Sequence, residues 1–193
     1  MESEYDGHDA VARATALVGL FCSPTEFGEI RNVGAEQVPQ PSRTLLDHRS
    51  HMTVAMERFY GCNVCLRVVA TKANGGDDSP SNGWYAREIL LETPAGVVVQ
   101  HGIVRINLAS LDEATAVEIR RAQRPLGRIL IAAGMLRDVH GVQLLEVLPG
   151  PHLRQLFLSD ESAAAAPVYG RVANIQLNGL PAVELLEIVA PGP

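Results

Sequence analysis

WYAREILLETPAGVVVQHGIVRINLASLDEATAVEIRRAQRPLGRILI, residues 84–131, changes its period part-way, and that change decides the fold. WYAREILLET (84–93) alternates like a strand. Tyr85, Arg87, Ile89 and Leu91 share one face, and Trp84, Ala86, Glu88 and Leu90 share the other. PAG turns the chain into VVVQHGIVRINL (97–108), a long strand with Gly102 as a candidate bulge. SLDEATAVEIRRAQ then reads as a helix. Ser110 and Glu113 form a capping box, acids fill its first turn and arginines its last. Pro125 stops that helix and opens a second, PLGRILIAAG, from its first position.

Working outward, NVCLRVVATKA (63–73) is an alternating strand, joined to the next by the polar turn NGGDDSPSNG (74–83). Three strands with short links make an antiparallel meander. Upstream, HMTVAMERF places Met52, Ala55, Met56 and Phe59 on one helical face, with Ser50 as N-cap and Gly61 as the stop. HDAVARATALVGLF gives a looser helical face of Val11, Ala14, Val18 and Phe21, followed by a Pro/Gly-rich connector. Downstream, VHGVQLLEVL (139–148) and RQLFLS read as strands and ESAAAAP as a low-complexity bridge. VYGRVANIQL and AVELLEIV are joined by the hairpin signal NGLP. The order implies an α+β fold: a single antiparallel sheet of about six strands with helices on one face and room for a ligand between the layers. Residues 1–40 are expected to be a helical and irregular extension, and 41–193 the domain proper.

The 193 residues, 47% hydrophobic, suffice for one domain with a sizeable core. The acidic start MESEYDGHD is unlike a signal peptide, and no apolar run reaches membrane-span length, so the expectation is a cytoplasmic protein without a membrane partner. A net charge of −6 without a basic cluster argues against nucleic acid. The expected assembly is a monomer or weak homodimer. Three cysteines, Cys22, Cys62 and Cys65, make no disulfide framework. C-N-V-C sits in a strand, which sends its thiols to opposite faces. No nucleotide loop, nucleophile elbow or zinc-protease motif is present.

Arg87 is the first candidate for chemistry. If Ile89 and Leu91 face the core, so does Arg87, and a buried guanidinium needs a carboxylate from the protein or from an anionic ligand. Glu184 and Glu187, three apart in a strand, face opposite ways, so one of them is internal. A cavity-facing glutamate can hydrogen-bond a ligand hydroxyl or move a proton. RPLGRIL (124–130) opens a helix whose free N–H groups suit an oxygen-rich ligand, and Gly127 permits close approach. His48 and His51 precede the HMTVAMERF helix. With no third ligand identifiable, they read as helix-start or protonation-sensitive contacts, Asp47 being a partner for them, and no metal is expected.

The aromatic-x-R-E-I-L-L strand, the next strand, the helix, R-P-L-G-R-x-L, the earlier H-M-T helix and the final G-x-P…E…P hairpin follow one another in an order that resembles the chorismate pyruvate-lyases. The resemblance covers residues 44–191. It implies a chorismate lyase-like fold and the conversion of chorismate to 4-hydroxybenzoate and pyruvate, without metal or organic cofactor. In that family helical flaps enclose the buried site. By resemblance, Arg87 binds the ring carboxylate and Glu187 the ring hydroxyl, the two being the catalytic candidates. The Leu126 backbone and Met52 contact substrate. E-I-V-A-P repeats the family's spacing and favours Glu187 over Glu184. Arg128, Arg105 and Arg67 are open candidates for the second carboxylate, and Gly127 and His51 are secondary candidates. The same fold implies two alternatives: a non-catalytic small-molecule sensor domain, as in transcription regulators, and a related lyase forming another hydroxybenzoate.

Overall fold

The computed structural model describes residues 7–74, 83–135, 137–157 and 166–192. Most of the turn at 74–83 and of the bridge at 161–167 lies outside them. In chain order the elements are α1 (Gly7–Val18), α2 (Pro24–Phe27), β1 (Gly28–Val33), α3 (Ser42–Leu46), α4 (Met52–Tyr60), β2 (Cys65–Ala73), β3 (Trp84–Glu92), β4 (Val98–Asn107), α5 (Glu113–Arg121), α6 (Leu126–Ala132), β5 (Arg137–Pro149), α7 (Pro151–Phe157), β6 (Val168–Leu177) and β7 (Leu180–Val189). The seven strands form one sheet in the order β1-β5-β6-β7-β4-β3-β2. Every neighbouring pair is antiparallel.

The extra strand is β1. It emerges from the Pro/Gly-rich connector and pairs with β5, Ile30 opposite Val147. Residues 28–33, expected in an extension, are therefore an edge of the sheet. Helices cover both faces instead of one. On the back, Ala10, Ala14, Leu17 and Val18 of α1 pack with Phe27, Leu145, Val172, Leu186 and Ile188, and Leu153 of α7 joins them. On the front, α3 and α4 pack on one half of the sheet and α5 and α6 on the other.

Local capping departs from expectation in informative ways. α5 is capped by Asp112, whose carboxylate accepts the Thr115 N–H at 2.8 Å, while Ser110 closes a 3-10 turn before it. The N-cap of α4 is His51, one residue after Ser50, and Gly61 ends it with φ 65° as expected. Met52 and Met56 are buried, but Phe59 is 42% exposed, so the apolar face is shorter than its spacing suggests. Pro125 is the N-cap of α6 and not its first residue. RQLFLS is no strand as far as it is described. Pro151 starts a helix that runs to Phe157, because proline fits a first helical turn and cannot pair within a sheet. Gly102 keeps the regular register between Ile89 and Glu187, and the irregularity in this pairing falls at Leu91/Glu92. The β6–β7 hairpin turns on Asn178 and Gly179, both at positive φ, as the two-residue turn demands.

Candidate functional site

The alternation of four adjacent strands builds a polar floor on the front face. Arg87 of β3 lies opposite Val104 of β4, which lies opposite Leu185 of β7. One row along, Ile89, Gly102, Glu187 and Arg171 stand side by side across β3, β4, β7 and β6. Because the strand period is two, the rows are about 7 Å apart. Gly102 lacks a side chain where the floor is lowest, and a Cβ there would meet Ile89 at 3.4 Å.

The roof is two helix starts. Ser50, His51, Met52 and Thr53 at α4 and Pro125, Leu126 and Gly127 at α6 line the same cavity as Arg87, Gly102, Arg171 and Glu187. The two starts touch: a Cβ on Gly127 would stand 3.4 Å from the His51 ring. An ion pair between Arg128 of α6 and Glu57 of α4 ties them on the outside.

Both floor arginines also hold the roof, and they differ in what else they bind. Arg171, 1% exposed, has a partner at every guanidinium nitrogen. Its Nε donates to Glu187 Oε2 at 2.7 Å, Nη1 to the carbonyls of Leu46 and His48, and Nη2 to that of Ser50. Arg87, also 1% exposed, donates one bond, from Nη2 to the Arg124 carbonyl at 3.2 Å. Its Nε and Nη1 are buried with no partner among the described residues. Burial lowers the Arg87 pKa, and the facing Tyr85 opposes that only in part. An arginine remains charged even so, which leaves an uncompensated cation in the cavity wall.

Most of the expected site residues gather here: Arg87, Glu187, Met52, Leu126, Gly127 and His51 line one cavity. Glu184 does not. It is on the back face, paired with Arg105 at 2.5 Å. That also removes Arg105 as a ligand for a second carboxylate. Arg67 is exposed and pairs with Glu92, and Arg128 is held on the outer roof. Arg171 was not anticipated, although V-Y-G-R-V-A-N-I-Q-L alternates so that it shares a face with Ala173 and Ile175, the signal that placed Arg87 inside. His48 sits beside Arg171, its Nδ1 accepting the Ser50 N–H at 3.0 Å. Burial first, and the Arg171 charge second, push its pKa down. Among the described residues no group of three or more His, Cys, Asp or Glu side chains could hold a metal ion.

No protein-family model and no curated protein matches the chain. Solved structures do. PhnF from Mycobacterium smegmatis superposes with a TM-score of 0.53 at 15% identity, over 74% of this chain and 64% of PhnF. The effector domain of the same protein gives 0.50 at 14% identity, over 73% of this chain and 88% of that domain. The fold is chorismate lyase-like. Effector domains of GntR-family regulators share this fold. The chain is also similar to a GntR-family transcriptional regulator from Enterococcus faecalis (TM-score 0.49, 12% identity, 65% of this chain and 93% of that one). The aligned region spans less than two thirds of PhnF. Among the described residues no helix is long and apolar enough to cross a membrane.

Proposed function

We propose that this protein binds a small monoanionic carboxylate in the cavity between the sheet and the starts of α4 and α6, with Arg87 as its anchor. The observation that carries this reading is the charge count of the cavity wall. Its arginine and carboxylate side chains are Arg87, Arg171 and Glu187. Glu187 neutralises Arg171 at 2.7 Å, and Arg87 is left with two nitrogens, Nε and Nη1, that have no partner among the described residues. A carboxylate of the ligand completes Arg87 through charge-assisted hydrogen bonds to its unpartnered nitrogens. The apolar lining of Met52, Ile89, Leu91, Val104, Leu126 and Leu185 suits a flat cyclic body. The starts of α4 and α6 form the roof over this lining. Such a ligand acts as the effector of a binding domain, the role its structural neighbours carry in their names.

A second reading uses the same pocket for chorismate elimination. The placement of Arg87 and Glu187 on one sheet face, one row apart, favours it. Arg87 would clamp the ring carboxylate and Glu187 accept the ring hydroxyl. Aromatisation of the cyclohexadiene supplies the driving force, so orientation and water exclusion are the protein's tasks. Against it stands the charge count: chorismate carries two carboxylates, and of the two guanidiniums in the wall Arg171 already has its counter-ion in Glu187.

One experiment tests both. The purified chain is titrated calorimetrically with benzoate, hydroxybenzoates and chorismate, and chorismate incubations are assayed for pyruvate. The binding reading expects saturable uptake of a monocarboxylate that Arg87→Ala abolishes, with no pyruvate above background. Pyruvate formation lost in Arg87→Ala would establish the lyase instead. Absence of any binding would remove both.

A further inference from the structure

Gln100 is a buried polar side chain of the cavity wall that neither reading uses. It lies on β4 opposite Leu91 and Val189, is 2% exposed and lines the pocket. Its Oε1 is buried and has no partner among the described residues. Its side chain runs along the floor toward the gap left by Gly102: the amide nitrogen is 3.5 Å from where a Gly102 Cβ would be. Gly102 is directly opposite Glu187 in the register. The amide nitrogen thus lies in the row next to Arg87, above the lowest part of the floor, and a half-turn about the last side-chain torsion brings Oε1 to the same place. A glutamine carbonyl left bare in an apolar wall is costly, as is a guanidinium with bare N–H groups. The two defects are complementary in sign: one lacks an acceptor, the other a donor.

We propose that Gln100 is the specificity-determining residue of the cavity, its carbonyl accepting a hydrogen bond from a hydroxyl or amino group that the ligand carries away from its carboxylate. The assignment rests on the anion-binding reading and sharpens it: the ligand is a small hydroxy- or amino-substituted cyclic monocarboxylate. Glu187 is less suited to this discrimination, because its Oε2 is already engaged by Arg171. A polar wall that must be matched rejects the analogue lacking the matching group, since that analogue buries the carbonyl without a partner.

The test uses the full chain and five probes: benzoate, 3- and 4-hydroxybenzoate, and 3- and 4-aminobenzoate. Dissociation constants are measured by calorimetry for the wild type, Gln100→Met and Glu187→Gln. The expected result is that at least one donor-bearing probe binds the wild type tighter than benzoate by about tenfold or more. In Gln100→Met that ratio falls to within about twofold of one. Gln100→Leu takes the place of the Met variant if the latter does not fold. Equal binding of all five probes by the wild type overturns the role of Gln100 and leaves the Arg87 anchor standing. A preference that survives Gln100→Met, or that disappears only in Glu187→Gln, also overturns it. Failure of every probe to bind removes the underlying reading along with it.

Discussion

Arg87 and Arg171 stand on the same sheet face with equal burial, and their replacement has opposite consequences. Arg171 compensates Glu187 and ties down the carbonyls of Leu46, His48 and Ser50. Arg171→Met leaves a partly buried carboxylate and several acceptors bare, a loss of about 3 kcal/mol. Arg87 has no counter-ion among the described residues, so Arg87→Met removes a desolvated charge and keeps most of the packing. We expect the ligand-free Arg87→Met variant to melt higher than wild type, by roughly 2–4 °C per kcal/mol gained. Its melting point should no longer respond to any carboxylate that stabilises the wild type. Thermal melts of both variants check this; an Arg87→Met variant less stable than wild type would mean that the guanidinium has a structural partner after all. The burial of Arg87 was legible in the sequence, because Ile89 and Leu91 fix the phase of that strand. Its lack of a counter-ion was not. That depends on Glu187 being taken by Arg171, a pairing across β6 and β7 that alternation within one strand does not reveal.

At the scale of elements, β3, β4, α5 and α6 were legible because period two and period 3.6 are both unbroken there. α7 was not, since seven residues after a Gly-Pro pair are too few to show a period. This short helix bears on the back of the sheet through one buried acid. Glu88 Oε1 receives His101 Nε2 at 2.9 Å from β4 and His152 Nε2 at 2.8 Å from α7. Burial raises the Glu88 carboxyl, but the bonds and charge of the two histidines outweigh it and leave the pKa below its ordinary value. Burial pushes His101 below the usual imidazole value, with Glu88 opposing. Nearby, burial first and the charges of Glu88 and Glu26 next push the Cys22 thiol up to about 11, so it stays neutral. A depressed carboxyl stabilises the fold above its unfolded pKa, and a depressed histidine does the same. Both contributions are lost as pH falls through the ordinary imidazole range and on past the carboxylate range. The melting temperature should therefore fall on acidification from pH 7; Glu88→Gln, which removes the group that opposes the His101 depression, should steepen the fall through the imidazole range, abolish its continuation through the carboxylate range and lower stability at neutral pH. Melts across a pH series for the two proteins decide it: parallel slopes would show that this cluster is not the source.

For the molecule as a whole, the decisive feature is that the chain's first strand closes the sheet far from the site. β7 is central and carries Glu187, whereas β1 and β2 are the edges. The meander and the final hairpin, both readable from turn chemistry, account for the half of the sheet that holds Arg87 and Glu187. The other half needed β1, which no local pattern announced: GEIRNV has few apolar residues and follows a connector. Yet β1 covers β5 over six paired positions. Its neighbour α1 buries Leu145, Val172, Leu186 and Ile188 on the back of the same strands whose fronts carry Arg171 and Glu187. Removing residues 1–33 would uncover that apolar face and the outer edge of β5 together, leaving a long edge beside exposed leucine, valine and isoleucine. We therefore expect a chain beginning at residue 34 to lack a cooperative thermal transition and to bind a hydrophobic dye, and with β6 and β7 unsupported from behind it should not bind carboxylate. Circular dichroism melts and dye fluorescence of the truncated chain beside the full one provide the comparison. A truncated chain that melts cooperatively and still binds would show that the front layers hold the site by themselves, and that α1 and β1 are additions to a self-sufficient unit.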